Sequence, residues 1–400
     1  MNRHQLSDPM KPVAAAERYA ALDVLRGAAL LGVLMVNLLV GFRVSLFKSF
    51  LTFHTHAGWA NRATDILLAW IFEFKAFALF SFLFGVGVGV QAERAATHQR
   101  SAAVFLTRRF SVLLVIGLCH MLLVWNGDIL TLYAICGLLL IPFVALPARW
   151  LAAAGLAVIV LSPHLPFFDS LFPSTEAMRV QAGVATRIYA TGSFMEILTL
   201  RWREAWQFIA PLLIGSLPRT FGLMLFGIAA WRAGVLQRLT EQRKLLRAIL
   251  VVAGSFGALT TTLQVWSKET GQPPPGALDW LYPYSVVLLA FAYGAGLLLW
   301  LSSAQAGCVT CLTRLFAAAG RMALSNYLMQ SVIFSMLFYG FGFGLFGRLG
   351  SAVAMLIGLT VFAAQLVTSD WWLWRYRFGP AEWLWRSLTY GRWQPPRRTV

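Results

Sequence analysis

Residues 20–42 read AALDVLRGAALLGVLMVNLLVGF. A helix rises about 1.5 Å per residue, so this run is long enough for the roughly 30 Å hydrocarbon core of a bilayer. Only Asp23, Arg26 and Asn37 interrupt its apolar character. The same kind of run recurs along the chain, near 66–91, 109–127, 129–146, 150–167, 206–230, 247–266, 281–302, 316–339 and 351–374. These patterns predict an all-α, polytopic membrane helical bundle of about ten transmembrane helices. The third and fourth runs are separated by little more than Gly127 and Asp128, which predicts a tight hairpin.

Composition agrees. Of the 400 residues, 58% are hydrophobic and 12% charged, against about 25% charged in soluble proteins. The formal net charge is +17, but Lys and Arg sit between apolar runs and form no continuous soluble domain. They report topology rather than a nucleic-acid surface. With the N-terminus inside, 21 Lys and Arg fall on inside segments and nine on outside ones. That bias predicts N-in, C-in, multi-pass insertion. Residues 1–18 are polar and read as a disordered cytoplasmic tail rather than a cleaved signal. Residues 19–393 read as one transmembrane domain and 394–400 as a cytoplasmic tail. The outside stretches 43–65 and 168–205 are longer than connectors need, and the second has room for an interfacial helix. Pro273-Pro274-Pro275-Gly276 marks a turn in a third outside loop.

Cys119 and Cys136 lie in apolar runs and read as small buried hydrophobes. Cys308 and Cys311 form a lone C-x-x-C without further ligands, so no metal site and no disulfide framework is expected. Gly85, Gly87 and Gly89 follow no strand and read as close helix packing.

Intramembrane charges need a partner, a wet cavity or a function, because each costs about 2.5–3.5 kcal/mol at the bilayer centre. Asp23 and Arg26 are three residues apart and can pair. With Asn37 they form one polar stripe. Glu73 and Lys75, two apart, should face different partners. His120 and Asp128 bracket the end of the third run, at a depth shared with Asn37, His54, His56 and Asp65. A lone buried histidine is more often structural than catalytic, but an imidazole near neutral pH also suits proton transfer. Arg219 follows Pro218 mid-helix and should face the bundle interior. Asn326 and Gln330, four apart, should bond to a neighbouring helix. Asp370, among Trp371, Trp372 and Trp374, reads as an interfacial anchor.

Asp23-Val24-Leu25-Arg26-Gly27, with Asn37 eleven residues past Arg26, resembles the opening of the YeiB-like family of bacterial inner-membrane proteins. Leu79-Phe80-Ser81-Phe82-Leu83-Phe84-Gly85 and Gly127-Asp128-Ile129-Leu130-Thr131-Leu132-Tyr133 resemble its inner motifs. Gly320-Arg321-Met322-Ala323-Leu324-Ser325-Asn326-Tyr327 and Phe378-Gly379-Pro380-Ala381-Glu382-Trp383 resemble its C-terminal hallmarks. The resemblance covers about residues 18–393. The helix opening is also similar, at greater distance, to heparan-α-glucosaminide N-acetyltransferase and related transmembrane acyltransferases. That likeness implies transfer of an acyl group from cytoplasmic acyl-CoA, as co-substrate rather than bound cofactor, to a small-molecule or sugar acceptor outside. It implies a catalytic histidine in the setting His56-Ala57-Gly58-Trp59, with His54 two residues away as a competitor. His120 and Asp128 would orient it or relay a proton. Asp23, Arg26, Asn37, Glu73, Lys75, Arg219 and Asn326 are the candidate substrate and acyl-CoA residues. The alternative is a small-solute transporter, suited by many spans and charged helices but lacking a visible inverted repeat. A membrane scaffold without chemistry ranks third.

Overall fold

In the computed structural model the described residues are 20–98, 101–165, 167, 170–171, 173–273, 276, 280–303 and 308–397. The expected disordered tail at 1–18, Pro274, Pro275 and the side chain of Cys308 lie outside them. Among the described residues the chain is helical, and its one strand-like feature is an isolated bridge between Tyr376 and Arg397. We label the helices α1 (Ala20–Val36), α2 (Leu46–Leu51), α3 (Trp59–Leu67), α4 (Lys75–Thr97), α5 (Ala102–Leu123), α6 (Leu130–Leu140) and α7 (Ala148–Leu161). There follow α8 (Thr175–Thr191), α9 (Phe194–Glu204), α10 (Ala210–Arg232), α11 (Arg243–Ala248), α12 (Gly254–Thr270) and α13 (Tyr282–Ser303). The last are α14 (Cys308–Arg321), α15 (Ala323–Phe338), α16 (Ser351–Arg375) and α17 (Pro380–Tyr390).

Seven helical stretches among the described residues are long and apolar enough to cross a membrane, which makes this a multi-pass membrane protein. Three further apolar helices are shorter: Leu130–Phe143, Ala148–His164 and Ala323–Phe338. The expectation of ten comparable spans therefore needs correcting in detail. Two of the short ones end where Pro142 and Pro163 tighten the chain into 3-10 turns, because proline removes a helix donor. The run expected at 316–339 divides at Met322 into α14 and α15.

The run at 66–91 is also broken. A π-turn over Leu68–Phe72 ends at Glu73, and Phe74 takes a left-handed φ of 60° before α4 begins at Lys75. Both charges serve the break. The Lys75 ammonium donates to the Ala69 carbonyl at 2.5 Å, and Glu73 pairs with Lys268 at 3.0 Å. Conversely, the helix expected to start near 206 is continuous from Phe194 to Arg232 through α9, a π-turn and α10. The long stretch 43–65 holds α2 and the start of α3, and 168–205 holds α8 and α9.

The first helix is the axis of the bundle. In Ala20–Phe42 72% of the apolar window is buried, against 22% in Ala102–Leu123 and in Arg243–Thr270, which form the periphery. Close approach depends on glycine. A Cβ on Gly320 would sit 1.9 Å from the Asp23 carbonyl oxygen, and one on Gly27 2.2 Å from that of Phe316, so α1 and α14 touch backbone to backbone. Gly85 and Gly227 do the same for α4 and α10, each with a carbonyl 2.1 Å away. Such contacts supply the van der Waals packing that holds helices together where lipid offers no hydrophobic drive. Cys136 is buried as expected, whereas Cys119 is exposed on the outer side of α5, where an apolar residue can meet lipid as readily as a core.

The α5–α6 hairpin is fastened on two sides. Trp125 stacks on Phe42 with ring centroids 4.3 Å apart. Asn126 donates to the buried Glu204 at 2.5 Å, and Arg201 donates to the Leu123 carbonyl at 2.8 Å.

Candidate functional site

Two cavities enter the bundle from opposite ends and approach each other beside this hairpin. The proximal cavity, at the end where α1 begins, holds about 250 Å³. Five arginines line it: Arg26, Arg109, Arg321, Arg377 and Arg386. The only carboxylates among its lining residues are Asp23 and Glu382. Both are engaged: Asp23 accepts from Arg26 at 2.9 Å, and Glu382 caps the start of α15. The Glu382 carboxylate accepts from the backbone of Leu324 at 2.7 Å and Ser325 at 3.1 Å, and from the Ser325 hydroxyl at 2.5 Å. These bonds tie the two C-terminal sequence motifs to each other. Burial nevertheless pushes the Glu382 carboxyl above its usual range. Arg109 lies 3.7 Å from the centroid of Trp385, whose indole N–H donates to the Arg109 carbonyl at 2.9 Å. Deeper in, the walls turn apolar, with Leu30, Val33, Leu83, Phe84, Phe110 and Leu113.

The distal cavity is larger, about 580 Å³. Its charged groups balance: Asp65 and Glu73 against Arg43 and Lys268. Asn37, Thr52 and Thr55 add neutral polar groups, and Phe53, Phe74, Phe77, Trp125 and Tyr282 supply aromatic walls. Asp65 accepts from His54 at 3.0 Å, and the other ring nitrogen of His54 meets Glu269 at 2.5 Å. Burial lowers the Arg43 guanidinium from its ordinary value.

At the hairpin, beside residues that line one cavity or the other, lies a buried pair that itself lines neither. His120 Nδ1 is 2.8 Å from Asp128 Oδ1, and both residues are almost fully enclosed, at 3% and 2% exposure. Asp128 also accepts from the backbone N–H of Thr131 at 2.7 Å and from the Tyr327 hydroxyl at 3.4 Å. An ionised carboxylate only accepts, so the imidazole donates to it from Nδ1, and in the neutral ring Nε2 is then the acceptor nitrogen. That Nε2 is buried and has no hydrogen-bond partner among the described residues. The chain around Asp128 touches both cavities: Gly127 lines the distal one, Ile129 the proximal one. Tyr327 lines the proximal cavity as well.

The sequence candidates thus separate. Asp23 and Arg26 belong to the proximal cavity, whereas Asn37, farther along the same helix, and Glu73, at the break before α4, belong to the distal one. His120 and Asp128 come together at the hairpin. His56 stands apart from the pair: its Nδ1 receives a bond from Arg43 at 3.0 Å and its Nε2 bonds the Gly347 carbonyl at 3.1 Å. Both ring nitrogens are occupied, and His56 does not line the distal cavity, although Thr55 does. Lys75 serves the helix break. Arg219 lies over the Phe74 ring at 5.3 Å and lines neither cavity. Asn326 bonds Ser369 at 2.9 Å, and Gln330 bonds Gln365 at 2.7 Å, a polar seam between α15 and α16. Asp370 pairs with Arg314 at 3.1 Å. Among the described residues, no three His, Cys, Asp or Glu side chains are grouped to hold a metal ion.

Arg109, Arg321, Arg377 and Arg386 enter the sequence reading as topology signals and, collectively with the other cytoplasmic loop arginines, as groups that could receive coenzyme A phosphates; Tyr327 and Glu382 enter only as motif letters. Their common signal is position. Arg321, Arg377 and Glu382 sit at helix ends, and Tyr327, Arg386 and Arg109 one to two turns inside, all lining one cavity.

Residues 230–392 match the family described as protein of unknown function (DUF418). The chain is 33% identical to the uncharacterized protein YxaH of Bacillus subtilis, over 96% of this chain and 98% of that one. It is 30% identical to an uncharacterized 39.9 kDa protein from the amylase 3' region of Bacillus acidopullulyticus, over 96% and 97% of the two chains. It is 28% identical to the uncharacterized protein YeiB of Escherichia coli, over 93% and 96%. With likeness running end to end, and with the helix-opening and C-terminal motifs accounted for by specific contacts, the chain belongs to the YeiB-like (DUF418) family.

Proposed function

We propose that this protein is a transmembrane acyltransferase of the bacterial inner membrane, inserted N-in and C-in with ten helices crossing or entering the bilayer. The proximal cavity then opens to the cytoplasm and takes acyl-CoA. Planar guanidinium groups suit phosphates, and the apolar depth suits an acyl chain. The distal cavity, polar and aromatic, takes a small hydroxyl-bearing acceptor from the other side. The observation that carries this reading is the buried His120–Asp128 pair, with its free Nε2, at the hairpin beside two cavities of such different chemistry.

In the reaction, Nε2 of His120 removes the proton from the acceptor hydroxyl as that oxygen attacks the thioester carbonyl carbon. A C–O bond forms and the C–S bond breaks. The departing CoA thiolate takes the proton back from the imidazolium. Asp128 holds the Nδ1 proton, fixes the tautomer and steadies the imidazolium, as a buried carboxylate does for other catalytic histidines. Tyr327 and the Thr131 N–H keep Asp128 in place. His56 takes the role of bracing Arg43 at the distal mouth.

Purified protein in detergent should bind acetyl-CoA saturably and in competition with free CoA. His120→Ala should retain that binding yet fail to release CoA thiol in the presence of an extract of cell-envelope small molecules. Absence of acetyl-CoA binding by folded protein would sink the proposal. Cavities open to opposite ends also suit alternating access by a small-solute transporter. That reading expects solute counterflow in proteoliposomes and indifference to His120→Ala.

A further inference from the structure

Three glycines alternate on α4, and they do not share one purpose. Gly85 and Gly89 are four apart and lie on one face, whereas Gly87 is turned about 200° from Gly85. A Cβ at Gly85 would collide with the Met224 backbone at 2.1 Å, and one at Gly89 would press on the Trp231 indole at 3.1 Å. Both residues are buried. At Gly87 the only atom within reach among the described residues is Arg26 Nη2, at 3.7 Å, an ordinary contact that an alanine methyl would tolerate. Gly87 lines the proximal cavity. It has no left-handed φ. Neither helix packing nor backbone conformation calls for glycine there, and glycine is a poor helix residue.

We infer that Gly87 is a specificity-determining position: its missing side chain keeps open the space beside Arg26 through which the phosphate-bearing part of a thioester substrate passes. This rests on the acyl-CoA reading of the proximal cavity. The consequence is unusual in sign. Gly87→Ala relieves a helix-interior glycine without a clash, so it raises the melting temperature while weakening the ligand. Gly87→Leu fills the passage and weakens it far more.

The test is acetyl-CoA equilibrium binding to detergent-purified full-length wild type, Gly87→Ala and Gly87→Leu, with thermal unfolding of each. The expected result is unfolding of Gly87→Ala at or above the wild-type temperature, affinity about threefold lower for Ala and more than about tenfold lower for Leu. Wild-type affinity in both variants, with acetyl-CoA still bound by the wild type, overturns this inference and leaves the acyl-CoA reading standing. A lower melting temperature for Gly87→Ala overturns it too, since the position would then be packed. Lack of acetyl-CoA binding by the wild type overturns the reading and the inference together.

Discussion

The two cavities share α1, the α3–α4 segment and the α5–α6 hairpin and differ in almost every other respect. α1 gives Arg26 to one and, through its π-turn, Asn37 to the other. The α3–α4 segment gives Gln91 to one and Glu73 to the other. The proximal cavity gathers five arginines against two carboxylates and narrows into apolar walls. The distal cavity is more than twice as large, balances its charges and is faced with aromatic rings. An unbalanced cationic pocket favours a polyanion. A balanced polar and aromatic one favours a neutral polar molecule. On the proposed reading, the asymmetry suits different molecules entering from the two ends and meeting at the hairpin, where Gly127 lines one cavity and Ile129 the other. His120 and Asp128 lie there.

Four substitutions sharpen or break that comparison. The largest effect belongs to the junction. His120→Ala should lower acyl transfer by about 10²–10⁴-fold, with acetyl-CoA affinity nearly unchanged. Asp128→Asn should follow it, since an amide at that position no longer enforces Nδ1 protonation. Turnover measured beside binding separates the two properties. Next comes the proximal end. Arg386→Ala should weaken acetyl-CoA by about tenfold, the 1.4 kcal/mol scale of one charge-assisted contact, and raising the ionic strength should weaken the wild type in the same direction. Filter binding at two salt concentrations checks both. Lys268→Ala, at the distal end, should leave acetyl-CoA affinity within about twofold while releasing Glu73 from its only ion pair, a loss near the surface-pair range of about 0–1 kcal/mol. Equal losses for Arg386→Ala and Lys268→Ala would erase the distinction between the ends.

The smallest effect is on stability. Burial raises the Glu382 carboxyl in the folded protein, so the folded state holds a proton that the unfolded state gives up. Stability is then greatest below the ordinary glutamate value of about 4.3 and declines as the pH rises through the raised folded value. Glu382→Gln should flatten this slope, read as the change in unfolding temperature between mildly acidic and neutral buffer.

Much of the fold was legible because lipid imposes a simple rule on sequence. Apolar runs of the right length mark helices, and the hairpin at Gly127 and Asp128 stood out because so few residues separate two such runs. The breaks were less legible. Nothing local in Glu73-Phe74-Lys75 announces a left-handed Phe74. It is stabilised by Ala69 and by Lys268, the latter nearly two hundred residues away. Of the site, His120 and Asp128 could be singled out by depth, and Asp23 and Arg26 by spacing. The other four arginines of the proximal cavity could not be singled out one by one. In a basic membrane protein an arginine at a helix end looks the same whether it faces a headgroup or a cavity, and only the packing of α17 against α5 and α15 tells them apart. His56 shows the opposite case. Its sequence setting drew attention, while its two ring nitrogens are occupied by Arg43 and Gly347.

The most direct measurement uses everted inner-membrane vesicles, which on the proposed N-in topology present the proximal cavity outward and enclose the distal side. Acetyl-CoA labelled in its acyl group is added outside, and label is followed into the lumen. The account predicts an acetylated small molecule accumulating inside vesicles that carry the wild type and only background label with His120→Ala. Equal accumulation with His120→Ala, or none with a wild type that binds acetyl-CoA, would contradict it.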